Sequence, residues 1–343
     1  MTKFKNKRRV RCGVIGYGAG FAMGKMHLDE MKRVGMAPTV VCEVDESRLK
    51  VATDDFPGIE TYMSVSEMLR KSDVNLIAII TPHNTHAKLA LQCLRAKRHV
   101  VCEKPMAVTT AECDRMIATA KANRVMLSAF HNRHWDGCLL QALKVVRRGT
   151  IGEVVRAEAR IGGHAHPGEW WRSSKSISGG ILYDWGVHYL EYGLQIINAP
   201  VVEVSGFAHT KFWSTRTRWQ KDTNEDEATA IVRFKNGARL TVTATSIDTE
   251  PITYPWVITG TKGVHCFNLE QWETIRKVGR RTLSERGMNP PSQWQQYYRN
   301  VANHLTHGDR LIITAEWARR PIHIIDLAGQ SAQRGKSLKV KYM

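Results

Sequence analysis

The sequence predicts an α/β protein with two domains, the first built on a doubly wound parallel sheet and the second on a mostly antiparallel sheet. In the N-terminal part, short apolar segments alternate with helix-like segments, which is the pattern of repeated strand–helix–strand units. Longer β-rich stretches replace this pattern after residue 150. The length of 343 residues also exceeds what one hydrophobic core usually supports.

The first domain is predicted from five apolar strands and the helices that connect them. The clearest strand is 74–80, which is nearly all apolar and is followed by Thr81-Pro82, as expected of a strand buried on both faces. Ser64 or Ser66 is a candidate cap for the third helix. The predicted strands are 10–15, 39–42, 74–80, 99–102 and 125–129, and the predicted helices are 26–34, 47–54, 66–71, 86–96 and 110–123.

The second domain is predicted to combine a mostly antiparallel sheet with three helices. Asn236-Gly237 separates two strand candidates and is a strong hairpin signal. The change in pattern places the boundary near 131–137, so we assign 1–133 to the first domain and 134–343 to the second. The predicted strands are 154–161, 201–209, 228–234, 239–246 and 256–267, and the predicted helices are 138–148, 182–197 and 292–307.

The chain is strongly basic, with 50 Lys and Arg against 32 Asp and Glu and a formal charge of +18. The basic residues are scattered, and no zinc-finger, basic-zipper or RNA-binding motif accompanies them. This distribution favours a solvated surface that attracts acidic small molecules over a dedicated nucleic-acid site. No apolar run approaches the ~18 residues of a membrane helix, so we expect no membrane association.

The cysteine pattern favours a reducing compartment. Seven cysteines are present without any C-x-x-C pair, which fits neither a disulfide framework nor a zinc site. Arg8-Arg9 resembles a twin-arginine export signal, but these arginines lead directly into the first predicted strand rather than into an apolar leader. We therefore expect a cytoplasmic protein.

A glycine loop follows the first predicted strand and precedes a helix. The segment GYGAGFAMGKMH, from Gly16 to His27, has the spacing G-x-G-x(5)-G instead of the compact G-x-G-x-x-G. Glycines there allow a tight turn and let the backbone approach a pyrophosphate at the helix N-terminus. Glu43 ends the second predicted strand, where a carboxylate accepts hydrogen bonds from both ribose hydroxyls. A glycine turn without a ligand is the alternative interpretation of this loop.

Two further segments carry residues suited to proton chemistry. Lys104 follows the strand 99–102, at the sheet edge where open α/β sheets bind ligands, and a lysine there can polarise a hydroxyl. The alternative is a surface lysine in a turn. Asp184 and His188 are four residues apart, so one helix would place both on one face. Imidazole is the natural base near neutral pH, although such a pair is often a simple surface pair.

Taken together, these segments resemble the Gfo/Idh/MocA oxidoreductases, the family of glucose–fructose oxidoreductase and inositol dehydrogenase. Four motifs carry the resemblance in the family's order. They are the glycine loop ending in His27, the TP-x-x-x-H at Thr81 to His86, the CEKP at Cys102 to Pro105 and the GG-x-x-x-D-x-G-x-H at Gly179 to His188.

The resemblance implies a Rossmann domain followed by an α/β domain with a large open sheet that often mediates oligomers, here a dimer or tetramer. It also implies oxidation of a secondary hydroxyl of a sugar or cyclitol by a nicotinamide cofactor. Lys104, Asp184 and His188 match the family's catalytic positions, with Lys104 holding the alcohol oxygen and His188 taking the hydroxyl proton. The family often has a cis peptide before Pro105, and we expect one here.

The same resemblance, together with the residue types at these positions, indicates the expected binding sites. NAD is expected over NADP because Glu43 repels a 2′-phosphate, with Arg48 as the one nearby cation that could reverse this preference. The expected cofactor contacts are Gly16, Gly18, Ala19, Gly20, Phe21, Glu43, Thr81, Pro82, His86, Glu103 and Lys104. The expected substrate contacts are Lys104, Asn132, Arg133, Trp170, Trp171, Arg172, Asp184 and His188, with His164, His166 and Lys175 as further candidates.

Several alternatives stay open. The pairs His131-x-x-His134 and His164-x-His166 suggest metal ligands, but no third ligand is in register, so we expect no metal. An NAD-dependent glycosidase would use transient oxidation on the same fold and release no net NADH. A regulator that senses a dinucleotide or sugar would lack catalysis, which the intact Lys104, Asp184 and His188 argue against.

Overall fold

The computed structural model describes residues 3–250 and 252–340. The chain forms two compact units. The first contains the chain up to His131 together with Gln295–Arg319, and the second contains Asn132–Trp294 together with the chain from Arg320 onward. From sequence we expected one division, between residues 133 and 134. The structure also assigns Gln295–Arg319 to the first unit, which the sequence did not indicate.

The first unit contains a six-stranded, fully parallel sheet in the order β3-β2-β1-β4-β5-β6. This order reverses at β1, as in a doubly wound fold. The strands are β1 Arg11–Ile15, β2 Ala37–Cys42, β3 Glu60–Tyr62, β4 Leu76–Ile79, β5 His99–Cys102 and β6 Leu127–Ala129. The helices between them are α1 Met23–Arg33, α2 Glu46–Asp55, α3 Val65–Lys71, α4 His83–Arg95 and α5 Thr110–Asn123.

Local sequence signals explain these elements. β4 and β5 are buried along their whole length, which accounts for the apolar sequence of β4 and of the three residues after His99 in β5. Side chains cap the flanking helices α3 and α5, since Ser64 accepts the amide hydrogen of Glu67 and Thr109 accepts that of Glu112. The short, partly exposed β3 was not predicted, because three polar or aromatic residues give no apolar run.

The second unit contains a nine-stranded sheet in the order β14-β13-β12-β11-β7-β10-β9-β8-β15. Only the pair β7 and β10 is parallel, so the sheet is mostly antiparallel, as predicted. The strands are β7 Val154–Gly162, β8 Val201–His209, β9 Glu227–Phe234, β10 Arg239–Thr245, β11 Trp256–Gly260, β12 Gly263–Phe267, β13 Gln271–Val278, β14 Arg281–Met288 and β15 Leu338–Lys339.

Two hairpins in this sheet can be compared with the predictions from sequence. The predicted hairpin at Asn236-Gly237 joins β9 to β10, with Gly237 at a φ of +85°. The single strand predicted at 256–267 is instead a hairpin of β11 and β12. β13 and β14 were not predicted. β14 is exposed at nearly every position, so it carries no alternation of apolar and polar residues.

The remaining helices are α6 Gly137–Arg147, α7 Lys175–Ser178, α8 Gly186–Ile197, α9 Gln296–Thr306 and α10 Ala315–Arg334. α9 buries Tyr297 and Tyr298 and lies within the predicted range 292–307. α10 was not predicted, and Pro321 lies inside it. Within the described ranges, none of the helices combines the length and the apolar character needed to cross a membrane.

The neutral His99 side chain makes the stability of the first unit sensitive to acid. Burial lowers its pKa to about 4, with a contribution from nearby His304. Its Nδ1 accepts a hydrogen bond from the Met126 amide at 2.9 Å, which requires an unprotonated nitrogen. The unfolded chain has the ordinary histidine pKa of about 6.5, so it binds a proton more readily than the folded chain between pH 6.5 and 4. This stability is therefore lost as the pH falls through that window.

We expect His99→Gln to flatten the acid loss of stability. A shift of this size corresponds to roughly 3 kcal/mol between pH 7 and 4. The glutamine carbonyl can still accept the Met126 amide but does not titrate. Melting temperatures measured at several pH values should fall less steeply for the variant than for the wild type. Equal slopes in the two proteins would show that His99 does not contribute.

Candidate active site

The glycine loop after β1 has the backbone that a phosphate group requires. Gly16 has a φ of +103°, and a side chain there would overlap the Ile80 carbonyl oxygen. Gly24 lies in the first turn of α1, where a Cβ would come within 2.6 Å of a neighbouring aromatic ring. No described atom lies within 4 Å of a Cβ built on Gly18 or Gly20. The ends of the loop thus need glycine for packing, and its middle leaves space for a ligand.

The extra residues of this loop form a short turn ahead of the helix. A 3-10 turn covers Gly20–Ala22, and Phe21 has a φ of +63° with 68% of its side chain exposed. This turn accounts for the long spacing in the sequence and lets α1 begin at Met23, three residues earlier than predicted. Ala19 precedes the turn, so the five predicted contacts in the loop all lie in one continuous segment.

Glu43 follows β2 and faces the glycine loop. One of its carboxylate oxygens accepts the Tyr17 amide hydrogen at 2.6 Å. The other accepts amide hydrogens from Val44 at 2.7 Å and Asp45 at 3.3 Å. Converging backbone amides of this kind favour a negative charge. Arg48, the nearby cation, donates from Nε to the Tyr17 carbonyl at 3.0 Å.

The Thr81–His86 motif shapes the turn after β4. The hydroxyls of Thr81 and Thr85 lie 2.6 Å apart, and Pro82 precedes α4. His86 is fully buried, with Nδ1 2.7 Å from the Pro105 carbonyl oxygen and Nε2 2.8 Å from that of Thr81. Burial lowers its pKa. We expected a cofactor contact here, but a buried ring between two carbonyls links two loops of the protein instead.

Glu103 and Lys104 follow β5 at the carboxyl edge of the sheet, and the Lys104–Pro105 peptide is cis, as expected. Lys104 is partly exposed. Glu103 turns inward, and only 11% of its side chain is exposed. Its carboxylate accepts the Lys104 amide hydrogen at 2.9 Å and lies 3.0 Å from Nε2 of His27. Glu103, which we expected to contact the cofactor, is therefore engaged within the protein.

Asp184 and His188 do not share a helix. A 3-10 turn ends at Tyr183, and α8 begins only at Gly186, so Asp184 precedes the helix that carries His188. The prediction of one helical face for both was wrong. Gly179 and Gly180 have φ values of +94° and +131°, which turn the chain immediately before this segment. His188 is 4% exposed on α8.

Arg172 and two tryptophans lie beside Asp184. Nη1 of Arg172 donates to Asp184 Oδ1 at 2.6 Å. The guanidinium carbon lies 5.2 Å from the ring centre of Trp170 and 5.1 Å from that of Trp171. Trp170 is 41% exposed. The structure thus brings the predicted substrate residues Trp170, Trp171 and Arg172 together with Asp184, and Arg172 anchors the carboxylate.

A second arginine is held between aromatic rings. Arg133 follows Asn132 in a 3-10 turn and donates to Asp136 at 2.9 Å. Its guanidinium carbon lies 4.4 Å from the ring centre of Trp185 and 5.5 Å from that of Trp294. Asp136 also accepts hydrogen bonds from Tyr192 and Trp294. Arg133 is thus fixed in one orientation, with 20% of its side chain exposed.

The remaining candidates have structural partners. Nε2 of His166 lies 2.8 Å from the Arg216 carbonyl oxygen, and Nδ1 of His134 lies 2.6 Å from Glu191. His164 packs against the ring of Trp213, and Lys175 pairs with Glu225 at 2.8 Å. In the two described ranges, no group of three or more His, Cys, Asp or Glu side chains is arranged to hold a metal ion.

Several residues that organise these clusters were missed from sequence. Asp136 and His27 lie within segments that the sequence singled out, but nothing local indicated that they hold a site residue. Trp294 and Tyr298 lie more than 100 residues from the side chains that they contact, so only the fold brings them there.

Two matches decide the family. Residues 10–131 match the GFO_IDH_MocA model, described as an oxidoreductase family with an NAD-binding Rossmann fold. Residues 139–265 match the C-terminal domain of the same family. The chain belongs to the GFO/IDH/MocA family. The six-stranded unit is its NAD-binding Rossmann domain, and both the predicted fold class and the predicted family are confirmed.

Relatives in this family include oxidoreductases and inositol dehydrogenases. The uncharacterized oxidoreductase YdgJ of Escherichia coli is 31% identical over 194 residues, which cover 56% of this chain and 55% of that protein. Myo-inositol 2-dehydrogenase of Thermotoga maritima is 31% identical over 232 residues, covering 67% and 66%. The NADP-dependent scyllo-inositol 2-dehydrogenase IolW of Bacillus subtilis is 24% identical and covers both chains fully. The chain spans about half the length of the first of these relatives.

Solved structures of the family share the fold. The oxidoreductase yvaA of Bacillus subtilis superposes with a TM-score of 0.86 at 20% identity, covering 99% of this chain and 100% of that one. Levoglucosan dehydrogenase, solved with NADH and levoglucosan, superposes with a TM-score of 0.82 at 20% identity, covering 96% and 99%. At this level of identity the likeness concerns the fold alone.

Proposed function

We propose that this protein oxidises a secondary hydroxyl of a sugar, sugar derivative or cyclitol to a ketone with NAD as the oxidant. One observation carries the proposal. The glycine loop after β1, with open space at Gly18 and Gly20, and Lys104 after β5 lie at the carboxyl edge of the same parallel sheet. Open α/β sheets bind dinucleotides and their substrates at that edge.

The residues of the first unit fit a dinucleotide. Gly16 makes the tight turn, Gly18 and Gly20 leave the backbone accessible to a pyrophosphate, and Glu43 faces the loop where the adenosine ribose would bind. Thr81 and Pro82 form the adjoining turn. The bound nicotinamide supplies a hydride acceptor for the carbinol carbon.

The side chains of the protein handle the proton and the developing charge. We assign the alcohol oxygen to Lys104, whose ammonium stabilises the negative charge that develops on that oxygen as the hydroxyl proton leaves. His188 takes the hydroxyl proton while the C=O bond forms, as a general base. Oδ1 of Asp184 accepts a hydrogen bond from Arg172, and we assign this carboxylate to accept one from a neighbouring substrate hydroxyl as well.

A ring with several hydroxyls suits the residues of the second unit. Relatives are named for myo-inositol and scyllo-inositol, and a structural neighbour was solved with levoglucosan. The exposed Trp170 offers an apolar face on which a sugar ring can stack. Asn132 and Arg133 offer an amide and a fixed guanidinium for hydroxyl groups.

A panel of sugars, sugar derivatives and cyclitols tests the reaction. Each compound is mixed with the purified protein and NAD, and NADH formation is followed by its absorbance. We expect at least one member of the panel to yield one NADH for each ketone formed. Release of an aglycone without net NADH would instead indicate the glycosidase, and NADH binding without turnover of any compound would indicate a sensor.

Glu43 is expected to set the preference for NAD over NADP. Its carboxylate occupies three backbone amides that would otherwise be available to a 2′-phosphate. Glu43→Ser should lower the ratio of kcat/KM for NAD to that for NADP by about tenfold or more, since charged hydrogen bonds and a repulsive charge are both removed. Glu46→Ser, which removes an exposed carboxylate three residues away, is the control. An NADP preference above tenfold in the wild type would contradict the role of Glu43.

We also propose a homo-oligomer, dimer or tetramer, that forms through the nine-stranded sheet, and a cytoplasmic location. The exposed Phe207 on β8 and Val155 on β7 support the first proposal, because both strands belong to this sheet. The seven free cysteines of the described chain support the second. Light scattering after size-exclusion chromatography measures the oligomeric state, and Phe207→Lys should shift it toward the monomer.

A further inference from the structure

A buried chain of polar groups leads from α9 through α1 to the backbone of Lys104. The Tyr298 hydroxyl lies 2.5 Å from Nδ1 of His27, and Nε2 of His27 lies 3.0 Å from Oε1 of Glu103. Oε2 of Glu103 accepts the Lys104 amide hydrogen at 2.9 Å. His27 is fully buried, and Tyr298 is 1% exposed. All four residues belong to the first unit.

Two of these groups have shifted pKa values. Burial raises the pKa of Glu103, but the interactions with His27 and Lys104 outweigh it, so the pKa lies below its ordinary value. Burial raises the pKa of the Tyr298 hydroxyl well above its ordinary value, so the hydroxyl keeps its proton next to Nδ1 of His27. The ionised Glu103 carboxylate is an acceptor, and Nε2–H of His27 donates to it.

The surrounding packing holds this chain in place. The ring of Phe130 lies 4.3 Å from that of His27 and 5.6 Å from that of Tyr298, measured between ring centres. His27 is on the helix that follows the glycine loop, and Tyr298 is on a helix that returns from the far end of the sequence. Segments that are distant in sequence thus support the Glu103 carboxylate, α1 directly through His27 and α9 through the contact of Tyr298 with His27. A buried carboxylate without such partners would be unfavourable.

We propose that Glu103 is a positioning residue for Lys104, and that His27 and Tyr298 fix the orientation of its carboxylate. The proposal rests on the role assigned to Lys104 above. The Glu103 carboxylate accepts a hydrogen bond from the backbone amide of Lys104, where the lysine side chain begins. If this part of the backbone moves, the ammonium group at the end of the side chain moves with it. Misplacement of a reacting group by about 1 Å can cost about 100-fold in rate.

Glu103→Gln tests the proposal in the full-length protein. We expect kcat with the best substrate of the panel to fall by about 10- to 100-fold, with the NADH dissociation constant and the substrate KM changed less than about twofold. A kcat equal to that of the wild type would overturn the proposal.

Tyr298→Phe separates orientation from charge. It removes only the hydroxyl that contacts His27 and leaves the Glu103 carboxylate in place, so kcat should fall about two- to tenfold, the worth of one hydrogen bond, while the substrate KM changes less than about twofold. Glu316→Gln, which removes a surface carboxylate of the same unit paired with Lys121, is the control and should change neither quantity. If Glu103→Gln does not fold, Tyr298→Phe decides alone, and an unchanged kcat at an unchanged melting temperature overturns the proposal.

The outcome is distinguishable from failure of the proposed function. If Lys104→Met keeps the wild-type kcat, the role of Lys104 is wrong and the positioning role fails with it. If Lys104→Met loses activity while Glu103→Gln and Tyr298→Phe keep it, only the positioning role is wrong.

Discussion

Replacing His188 by asparagine is expected to lower kcat about 100- to 10,000-fold, the usual contribution of a general base. The imidazole is 4% exposed on α8, immediately after the turn that carries Asp184. Asparagine keeps a polar side chain of similar reach but cannot accept a proton near neutral pH. The acidic limb of the pH–rate profile, which reports protonation of this base, should disappear in the variant. Stopped-flow and steady-state rates between about pH 5 and 9 provide the measurement.

A second buried histidine controls for the loss of packing. His265 is fully buried on β12 of the same unit, where burial lowers its pKa to about 4. His265→Asn should change stability but leave kcat within about threefold, because the residue has no part in proton transfer. An acidic limb that survives in His188→Asn would mean that another group takes the proton, and Lys104 would be the first alternative.

Replacing Lys104 by methionine should lower kcat about 100-fold or more, with NAD affinity changed less than about twofold. Methionine has a similar length and volume but no charge, so the change removes the stabilisation of the developing oxyanion and little else. Lys104 follows β5, on the opposite side of β4 from the glycine loop after β1, so binding of the pyrophosphate does not depend on it. Single-turnover kinetics and NADH fluorescence titration measure the two quantities separately.

The matched control for this variant is Lys88→Met, which removes an exposed ammonium on α4 of the same unit. It lowers the net charge by the same amount, so it reports any general electrostatic effect on the acidic cofactor. Lys88→Met should keep the wild-type kcat. If Lys104→Met also keeps the wild-type kcat, Lys104 has no role in catalysis and is only part of the turn after β5.

Residues close together in the chain determined much of the architecture and the broad chemistry. The parallel sheet was predictable because β4 and β5 are buried on both faces and are therefore apolar at every position except His99. The glycine loop was predictable because Gly16 must adopt a positive φ against the Ile80 carbonyl, a demand that the sequence shows directly. The family followed from four motifs in order, each shorter than fifteen residues.

The same local signals failed where burial did not impose a pattern. β14 is exposed along its length, so no alternation marks it. The segment before α8 reads as helix by its apolar residues, yet Gly179 and Gly180 turn the chain, and Asp184 stays outside the helix. Helix propensity, summed over a window of the sequence, does not show where the backbone hydrogen bonds stop and the helix ends.

The fold alone decided which partner each site residue has. Sequence identified Glu103, His86 and Arg133 as candidates, but it did not show that Glu103 binds His27, that His86 faces two carbonyls or that Arg133 lies between Trp185 and Trp294. The contact between His27 and Tyr298, which holds the partner of Glu103, joins residues 271 positions apart. A side chain's role depends on the donors, acceptors and charges around it. Those neighbours come from other strands and helices, so only the tertiary structure determines them.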